Sequence, residues 1–170
     1  MRAYVSVGSN LSPERHVPAA LAALEARFGP LRVSTVYRCR AEGFEGPDFH
    51  NLAVAFDTAE PPEAVAAALR AIEAAHGRRR GGPRFASRTL DLDLVLWGEE
   101  VVARAGLRLP RAEVLRYAFV LRPLAEIAPG LRHPEAGRTL AELWAEMAPS
   151  APRMEPLGRP PVSGGRRGGG

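Results

Sequence analysis

The chain of 170 residues contains no lysine, so all 23 of its basic residues are arginine. This absence excludes mechanisms that need an ε-amine, namely Schiff-base chemistry, a lysine general base and the lysine of a P-loop. Any phosphate group that the protein binds must therefore be held by arginine, by backbone amides or by a metal ion. The planar guanidinium suits this role because it donates two parallel hydrogen bonds to one phosphate group.

Cysteine and long apolar runs are also scarce. Cys39 is the single cysteine, so it forms no internal disulfide and builds no thiolate metal cluster, as is typical of a reducing compartment. The sequence has no apolar run near the roughly 18 residues that span a bilayer, and its N-terminus lacks the apolar core of a signal peptide. We therefore expect a cytoplasmic protein with no membrane partner.

The length and the composition, 46% hydrophobic and 25% charged, are typical of one globular domain. From residue 149 onward, proline, glycine and arginine dominate. We therefore predict a single, monomeric domain over residues 1–148 and a disordered tail over residues 149–170 that catalysis does not need. The net charge of +4 favours an anionic partner, although part of this charge lies in the tail.

The alternation typical of strands and the three-to-four spacing typical of helices follow one another in the order βαββαβ. The predicted strands cover residues 3–7, 31–38, 49–57 and 89–97, and the predicted helices begin at Pro13 and at Pro61-Pro62-Glu63. This order predicts a ferredoxin-like α+β fold, in which both helices cover one face of an antiparallel sheet.

Local signals mark the ends of these elements. Ser12 is predicted to cap the first helix, and Gly77 stands where a glycine would end the second. Residues 110–128 are predicted as a short helix, an extended run and a turn. Thr139 and Glu142 have the spacing of a capping box, which predicts a further helix as a C-terminal addition to the domain.

The last predicted strand carries two of the four aspartates of the chain, Asp91 and Asp93. Because they are two residues apart on a strand, their Cβ atoms lie roughly 6 to 7 Å apart on one face. A divalent cation would relieve their mutual repulsion, and carboxylate oxygens at this spacing suit one or two Mg²⁺ ions. The alternative is a pair that is solvated or bridged to nearby arginines.

Five arginines lie within eleven residues directly before this strand, namely Arg78, Arg79, Arg80, Arg84 and Arg88. Beside paired carboxylates, a cationic loop interrupted by glycines favours a bound polyanion with its metal. A solvated charge run and a nucleic-acid contact are alternative interpretations of the same residues.

A third feature is an aromatic ring next to an amide on one strand face, at Phe49 and Asn51. Together they could hold a flat heterocycle, since the ring offers a plane and the amide both donates and accepts hydrogen bonds. The alternative is a core phenylalanine and a turn-forming asparagine. The four histidines of the chain have no metal-ligand spacing.

Four motifs have a specific order and spacing in the chain. They are Gly-Ser-Asn-Leu at residues 8–11, Pro-Asp-Phe-x-Asn at 47–51, Arg-Thr-Leu-Asp-Leu-Asp at 88–93 and Phe-Val-Leu-x-Pro-Leu-x-Glu-Ile-Ala-Pro at 119–129. Through them, the chain resembles the bacterial 6-hydroxymethyl-7,8-dihydropterin pyrophosphokinases of folate biosynthesis. This resemblance implies a ferredoxin-like fold and a reaction in which the pterin hydroxymethyl oxygen attacks the β-phosphorus of ATP and AMP is released.

The resemblance also implies roles for individual residues. Asp91 and Asp93 match the ligands of two Mg²⁺ ions. Phe49 and Phe119 match the aromatic pair that sandwiches the pterin, and Asn51 matches the amide that binds the edge of its ring.

Further matched positions lie in loops and on the second helix. Gly43 and Phe85 match contacts to the pterin. The positions that match contacts to ATP are Glu73, Arg80, Arg88, Leu94 and Arg111. The positions that match the catalytic residues on the transferred phosphates are Arg78, Arg88, Asp91 and Asp93.

The chain departs from the family pattern at several of these positions. Phe85-Ala86-Ser87 stands where an aromatic residue and then Gly-Pro are usual, and Arg111 stands where a histidine is usual. Tyr117 stands two residues before the second aromatic residue, Phe119, where the family usually has an arginine. The nearest arginine of this chain, Arg116, is shifted by one position.

Two other functions stay open from the residues alone. One is a kinase that moves only the γ-phosphate of ATP to a small heterocyclic alcohol, whose product is ADP instead of AMP. The other is a non-enzymatic RNA-binding module on a ferredoxin-like sheet, which would account for the basic charge. Because aromatic residues make up only 6% of the chain and no RNP1 pattern is present, we expect no nucleic-acid partner.

Overall fold

The computed structural model of the protein describes residues 1–41, 45–77, 89–104 and 106–161. The strands in these ranges are β1 (Arg2–Ser9), β2 (Arg32–Val33), β3 (Tyr37–Cys39), β4 (Phe49–Asp57), β5 (Asp91–Trp97), β6 (Val102–Arg104), β7 (Leu107–Leu109) and β8 (Met154–Pro156). The helices are α1 (Pro13–Phe28), α2 (Pro62–Ala75), α3 (Glu113–Arg116), α4 (Ala118–Ile127) and α5 (Leu140–Met147), followed by a 3₁₀ turn at Ala148–Ser150.

The described strands form a main antiparallel sheet and a hairpin. The sheet has the order β5-β1-β4-β3-β8, and the short β2 pairs with β4 alongside β3. The hairpin consists of β6 and β7. The chain is therefore an α+β protein with an antiparallel sheet, as the sequence predicts at this level.

Apolar residues cover both faces of this sheet. On one face, alternate residues of β1 such as Val5 and Val7 pack with Leu21 of α1 and Leu69 of α2. On the other face, Tyr4 and its neighbours pack beneath α4 and α5. The result is a sheet held between two helical layers, with β1 and β4 at its centre.

The predicted strand over residues 31–38 is interrupted in the structure. Ser34 donates its backbone N–H to Ala53 O at 3.0 Å, but its side-chain oxygen accepts the N–H of Ala53 at 2.8 Å. The next N–H, that of Thr35, leaves the ladder and donates to Glu126 at 2.9 Å. A side chain thus replaces the backbone acceptor, and the strand divides into β2 and β3.

The prediction of an extended run after residue 118 is wrong, because this segment forms helix α4. Its buried residues Val120, Leu121, Leu124 and Ile127 follow the three-to-four spacing of a helix facing the sheet. A short run rich in apolar residues does not distinguish a strand from a buried helix by itself. Here the segment is a helix because one of its faces packs against the sheet.

Two of the three predicted helix signals are confirmed. The capping box of Thr139 and Glu142 is present at the start of α5, and Gly77 adopts a φ of 79° just after α2. Ser12 is not a side-chain cap, because it adopts a φ of 50° and its hydroxyl makes no capping hydrogen bond. Instead its carbonyl accepts the N–H groups of Arg15 and His16, both at 3.0 Å.

The segment predicted to be disordered from residue 149 contains an ordered strand. β8 pairs with β3 and extends the sheet, and Val36 exchanges two backbone hydrogen bonds with Leu157 and Gly158. Pairing at a sheet edge thus outweighs the Pro- and Gly-rich composition. Residues 162–170 lie outside the described ranges, so the predicted domain boundary stays a prediction. In the described ranges, no helix has the length and apolar character to cross a membrane.

Candidate active site

The two aspartates project from one face of the edge strand β5, as predicted. In the pairing of β5 with β1, Asp91 lies opposite Gly8 and Asp93 lies opposite Ser6. Directly paired residues of antiparallel strands share a face, so both carboxylates stand beside small residues of β1. Both side chains are half-buried, which keeps them accessible to a ligand.

Gly8 forms the floor between the candidate metal ligands and the candidate ring-binding amide. It pairs with Asp91 on one side and with Asn51 on the other. A Cβ atom built on Gly8 would lie 3.1 Å from Asn51 Oδ1, 3.8 Å from Phe49 Cδ1 and 4.0 Å from Asp91 Cβ. The missing side chain therefore lets Asn51 approach the backbone of Gly8 closely, at a point where three predicted site residues converge.

The loop after β1 is tied to the segments that carry the site. The Ser9 hydroxyl donates to Thr89 O at 2.5 Å, just before β5, and Asn10 Nδ2 donates to Pro47 O at 3.0 Å, just before β4. Both side chains are buried. Gly8, Ser9 and Asn10 thus have distinct structural roles in the Gly-Ser-Asn-Leu motif, which the sequence marked without assigning them.

Arg111 lies beside the two aspartates. Its backbone N–H donates to Val95 O of β5 at 2.9 Å, and its side-chain Nε donates to Glu113 Oε2 at 2.8 Å. Burial lowers the pKa of Arg111, but the hydrogen bond to Glu113 and the negative charges of Asp93 and Asp91 outweigh it, so the pKa lies above its usual value. The guanidinium is therefore charged at every physiological pH and is held next to the carboxylate pair. Glu113 follows Arg111 by only two residues, so this partner was within reach of a local reading of the sequence, but no motif marked it.

Asn51 and Phe49 occupy the predicted face of β4. Asn51 is buried, Phe49 is half-buried, and the opposite strand β3 places Cys39 across from Phe49. Burial raises the pKa of the Cys39 thiol, and a hydrogen bond with the Asn51 side chain partly offsets this rise. Asn51 thus lies between Tyr37 of β3 on one side and Gly8 of β1 on the other.

Phe119 reaches the same end of the sheet from α4. It packs against a cluster that contains Tyr37, Cys39 and Met154, and its ring stacks on Tyr117 with centroids 5.1 Å apart. Cys39 lies opposite Phe49 in the sheet, so the structure brings both predicted aromatic residues to one region.

Glu73 and Leu94 lie away from the carboxylate face. Glu73 is 2% exposed, and its Oε2 accepts the N–H of Leu92 at 2.8 Å on the outer edge of β5. Leu94 is buried in the core on the α1 and α2 side of the sheet. A contact between Leu94 and a nucleotide would therefore go through its backbone.

The other predicted site residues lie outside the described ranges. They are Gly43, Arg78, Arg80, Phe85 and Arg88. In the part of the chain that the structure describes, no group of three or more His, Cys, Asp or Glu side chains is placed to hold a metal ion. Asp91 and Asp93 place two carboxylates on one face, and one or two carboxylates are the usual protein contribution to a Mg²⁺ that also binds water and substrate phosphates.

Comparison with known proteins gives a consistent result. Residues 4–129 match the family model of the 7,8-dihydro-6-hydroxymethylpterin-pyrophosphokinases. A 2-amino-4-hydroxy-6-hydroxymethyldihydropteridine pyrophosphokinase of Pseudomonas aeruginosa is 43% identical over 149 residues, which cover 85% of this chain and 90% of that protein. The enzyme of the same name from Synechocystis sp. is 36% identical over 161 residues, 90% of this chain and 82% of the relative.

A solved structure supports the fold. The crystal structure of Plasmodium falciparum HPPK-DHPS aligns with a TM-score of 0.63 at 12% identity. The alignment covers 85% of this chain and 43% of that longer one.

Proposed function

The chain belongs to the 7,8-dihydro-6-hydroxymethylpterin-pyrophosphokinase family, and we propose that it carries out the family's reaction on the sheet face that bears Asp91 and Asp93. The reaction transfers pyrophosphate from ATP to the hydroxymethyl group of 6-hydroxymethyl-7,8-dihydropterin in folate biosynthesis. The protein is thus an ATP-dependent transferase. The observation that carries the placement is the row of Asn51, Gly8 and Asp91 across three adjacent strands.

In this reaction the hydroxymethyl oxygen forms a bond to the β-phosphorus of ATP. The bond from that phosphorus to the oxygen of the α-phosphate breaks, AMP leaves, and the hydroxyl proton is lost. Phosphoryl transfer of this kind depends mainly on positioning and on stabilising negative charge, and needs little covalent chemistry from the protein. The row of site residues supplies both requirements, with a polar ring-binding end and a carboxylate end.

Asp91 and Asp93 would hold the magnesium that accompanies ATP. Their half-buried carboxylates offer hard oxygen ligands on one strand face, and the two-carboxylate set suits Mg²⁺. We expect two ions, as the family resemblance implies. When bound, they neutralise the phosphate charge, while Asp91 and Asp93 keep the nucleotide next to Gly8.

Phe49, Phe119 and Asn51 would form the pterin pocket. Two aromatic faces stack on a flat ring, and the fixed amide of Asn51 can pair with a ring edge that both donates and accepts hydrogen bonds. The absence of a side chain at Gly8 lets the Asn51 amide keep its position next to Phe49, since a Cβ there would lie 3.1 Å from Asn51 Oδ1. The hydroxymethyl group would then point towards Asp91.

Arg111 would bind the phosphates from the far side of the carboxylate pair. Its permanent charge and its planar donors suit phosphate oxygens, and Glu113 orients the guanidinium through the bond at 2.8 Å. The arginines within residues 78–88, whose contacts with ATP are predicted from the sequence, would add further positive charge. Glu73 and the backbone at Leu94 stay predicted ATP contacts.

The finer fold assignment is also part of this proposal. The strand order β5-β1-β4-β3 with α1 and α2 on one face supports a ferredoxin-like core, to which α4 and α5 add a second helical layer. The predicted monomeric state and the predicted cytoplasmic location stay predictions.

The direct test is product identification. Purified protein is incubated with Mg²⁺, ATP labelled separately at the α- and γ-phosphates, and 6-hydroxymethyl-7,8-dihydropterin, and the nucleotide product is separated. We expect AMP and a pterin carrying both the β- and the γ-phosphorus. ADP with a singly phosphorylated pterin would show the alternative γ-phosphate kinase, and no pterin-dependent product would contradict both.

A further inference from the structure

We propose that β8 and Arg122 of α4 position the pterin pocket, so that the C-terminal segment, which sequence composition marked as dispensable, determines the affinity for the pterin. This inference rests on the function proposed above. It concerns residues that do not touch the reacting atoms. The residues of β8 and Arg122 act through Phe119 and through strand β3. This strand lies between β8 and the strand β4 that carries Asn51.

Two rows of paired residues connect β8 to the site. In one row, Met154 of β8 lies opposite Cys39, which lies opposite Phe49. In the other row, Pro156 lies opposite Tyr37, which lies opposite Asn51, and this row continues to Gly8 and Asp91. Both candidate pterin residues of β4 are therefore one strand away from the residues that β8 contacts.

Arg122 joins α4, α5, β3 and β8 at one point. Its guanidinium carbon lies 4.4 Å from the ring centroid of Tyr37 and 5.7 Å from that of Trp144. Its Nη1 donates a hydrogen bond to Met154 O at 3.2 Å. A planar cation between two aromatic rings, which also binds the backbone of a third element, fixes the distance between helix α4 and strand β8.

A carboxylate holds the same elements together on the other side of Tyr37. Glu126 of α4 accepts hydrogen bonds from the Tyr37 hydroxyl at 2.7 Å and from Thr35 N at 2.9 Å. It also accepts one from Arg159, just beyond β8, at 3.3 Å. The hydrogen bonds from Tyr37 and Thr35 lower the pKa of Glu126 more than burial raises it, so the carboxylate stays charged near neutral pH.

The consequence for the pocket follows from what Met154 touches. Met154 is 7% exposed and packs in the cluster with Tyr37, Cys39 and Ala118, against which Phe119 rests. Phe119 is one of the two proposed stacking rings, and Tyr37 of the same cluster lies opposite Asn51 on the neighbouring strand. Loss of β8 docking would therefore loosen one ring and the amide together, but would leave Asp91, Asp93 and Arg111 in place.

The test compares two arginines that have similar contacts at opposite ends of the molecule. Arg122→Gln removes the cation between Tyr37 and Trp144. Arg27→Gln is the matched control, because Arg27 stacks on Phe28 at 4.7 Å and pairs with Glu60 at the far end of α1. Binding of 6-hydroxymethyl-7,8-dihydropterin, with Mg²⁺ and a nonhydrolysable ATP analogue present, is measured by calorimetry for each full-length variant.

We expect Arg122→Gln to weaken pterin binding about tenfold, with the Kd of the ATP analogue within about twofold of wild type. Arg122→Lys keeps the charge but not the planar contact and should give an intermediate value. Arg27→Gln should change neither affinity. Equal pterin affinity in Arg122→Gln and wild type, or an equal loss for pterin and nucleotide, would overturn the inference.

A second pair of variants decides the question if Arg122→Gln fails to fold. Met154→Ala removes the buried side chain of β8, whereas Leu157→Ala removes a side chain of the same segment that is 42% exposed. Met154→Ala should weaken pterin binding and Leu157→Ala should not, and identical behaviour would refute the role of β8. Failure of the wild-type protein to bind the pterin would instead contradict the proposed function itself.

Discussion

One face of the central sheet has two contrasting halves built from the same three strands. In the first half, Tyr4, Ala55 and Val95 pack in the apolar cluster beneath α4. In the second half, β1, β4 and β5 present Gly8, Asn51 and Asp91 in a row. The two halves are continuous along each strand, so the packing of the first half fixes the positions of the polar residues in the second.

This contrast shows how stability and function are separated in the fold. Buried apolar contacts supply most of the favourable free energy of folding, and the covered half is built from them. Two carboxylates on one strand face repel each other and add little to folding. The proposed ligand, Mg²⁺ with ATP, would account for their place, and the packed neighbouring half would keep them within the narrow geometry that catalysis needs.

The largest expected effect comes from removing charge in the polar half. Asp93→Asn and Asp91→Asn keep the shape of the side chain but weaken its binding to Mg²⁺, so each should lower kcat/KM by at least about 100-fold. The free energy of unfolding without ligands should change little, because the relieved repulsion between the carboxylates offsets the lost attraction to Arg111. Steady-state kinetics and urea denaturation measure the two quantities. Activity near that of wild type at limiting Mg²⁺ would refute the metal assignment.

The opposite substitution truncates a side chain in the covered half. Leu124 is fully buried beneath the sheet, so Leu124→Ala should lower the free energy of unfolding by about 2–5 kcal/mol through lost packing and the cavity that it leaves. Well below its Tm, the folded variant should keep its KM values for both substrates. A large rise in one KM with unchanged stability would show that the covered half also contributes to substrate binding.

Arg111 tests the electrostatics of the polar half. Arg111→Ala should raise the KM for ATP about 10- to 100-fold, the range for a lost hydrogen bond to a charged group. Arg111→His should restore binding at pH 6, where imidazole is mostly protonated, and progressively lose it towards pH 9 as the proton leaves. A KM for ATP that is the same in wild type and Arg111→Ala across pH 6–9 would contradict the contact and favour Arg116 or Arg108 as the phosphate ligand.

Gly8→Ala makes the smallest change, one methyl group between the two ends of the site. The new Cβ would lie 3.1 Å from Asn51 Oδ1, so the amide must shift by a few tenths of an ångström. We expect the KM for the pterin to rise about tenfold, with the KM for ATP and the stability close to wild type. Gly130→Ala is the control, since no atom lies within 4 Å of a Cβ built there. Equal effects of the two variants would contradict the role of Gly8 as the floor of the site.

The sequence predicted the elements whose pattern is local. The alternation in β1 and β4 identified these strands, and the spacing of Asp91 and Asp93 was sufficient to place both carboxylates on one face. The capping box at Thr139 is also a local signal and is confirmed. Such patterns depend on neighbours within a few residues, which the sequence displays directly.

The features that the sequence did not predict depend on distant residues. Gly8 becomes a floor only because β1 lies between β4 and β5. The helix α4 was predicted as an extended run because its apolar residues fit a strand as well as a buried helix. The strand β8 was not predicted because its composition is typical of a tail, whereas its order comes from pairing with β3, more than 100 residues earlier.

The most direct test of the division between the two halves is a backbone NMR titration of the full-length protein. Assigned amide spectra are recorded with Mg²⁺ and a nonhydrolysable ATP analogue, before and after saturation with 6-hydroxymethyl-7,8-dihydropterin. We expect the largest shift changes at Gly8, Asn51 and Asp91, and changes near the noise at Tyr4, Ala55 and Val95 on the same strands. Larger changes in the covered half than in the polar half would contradict the placement of the site.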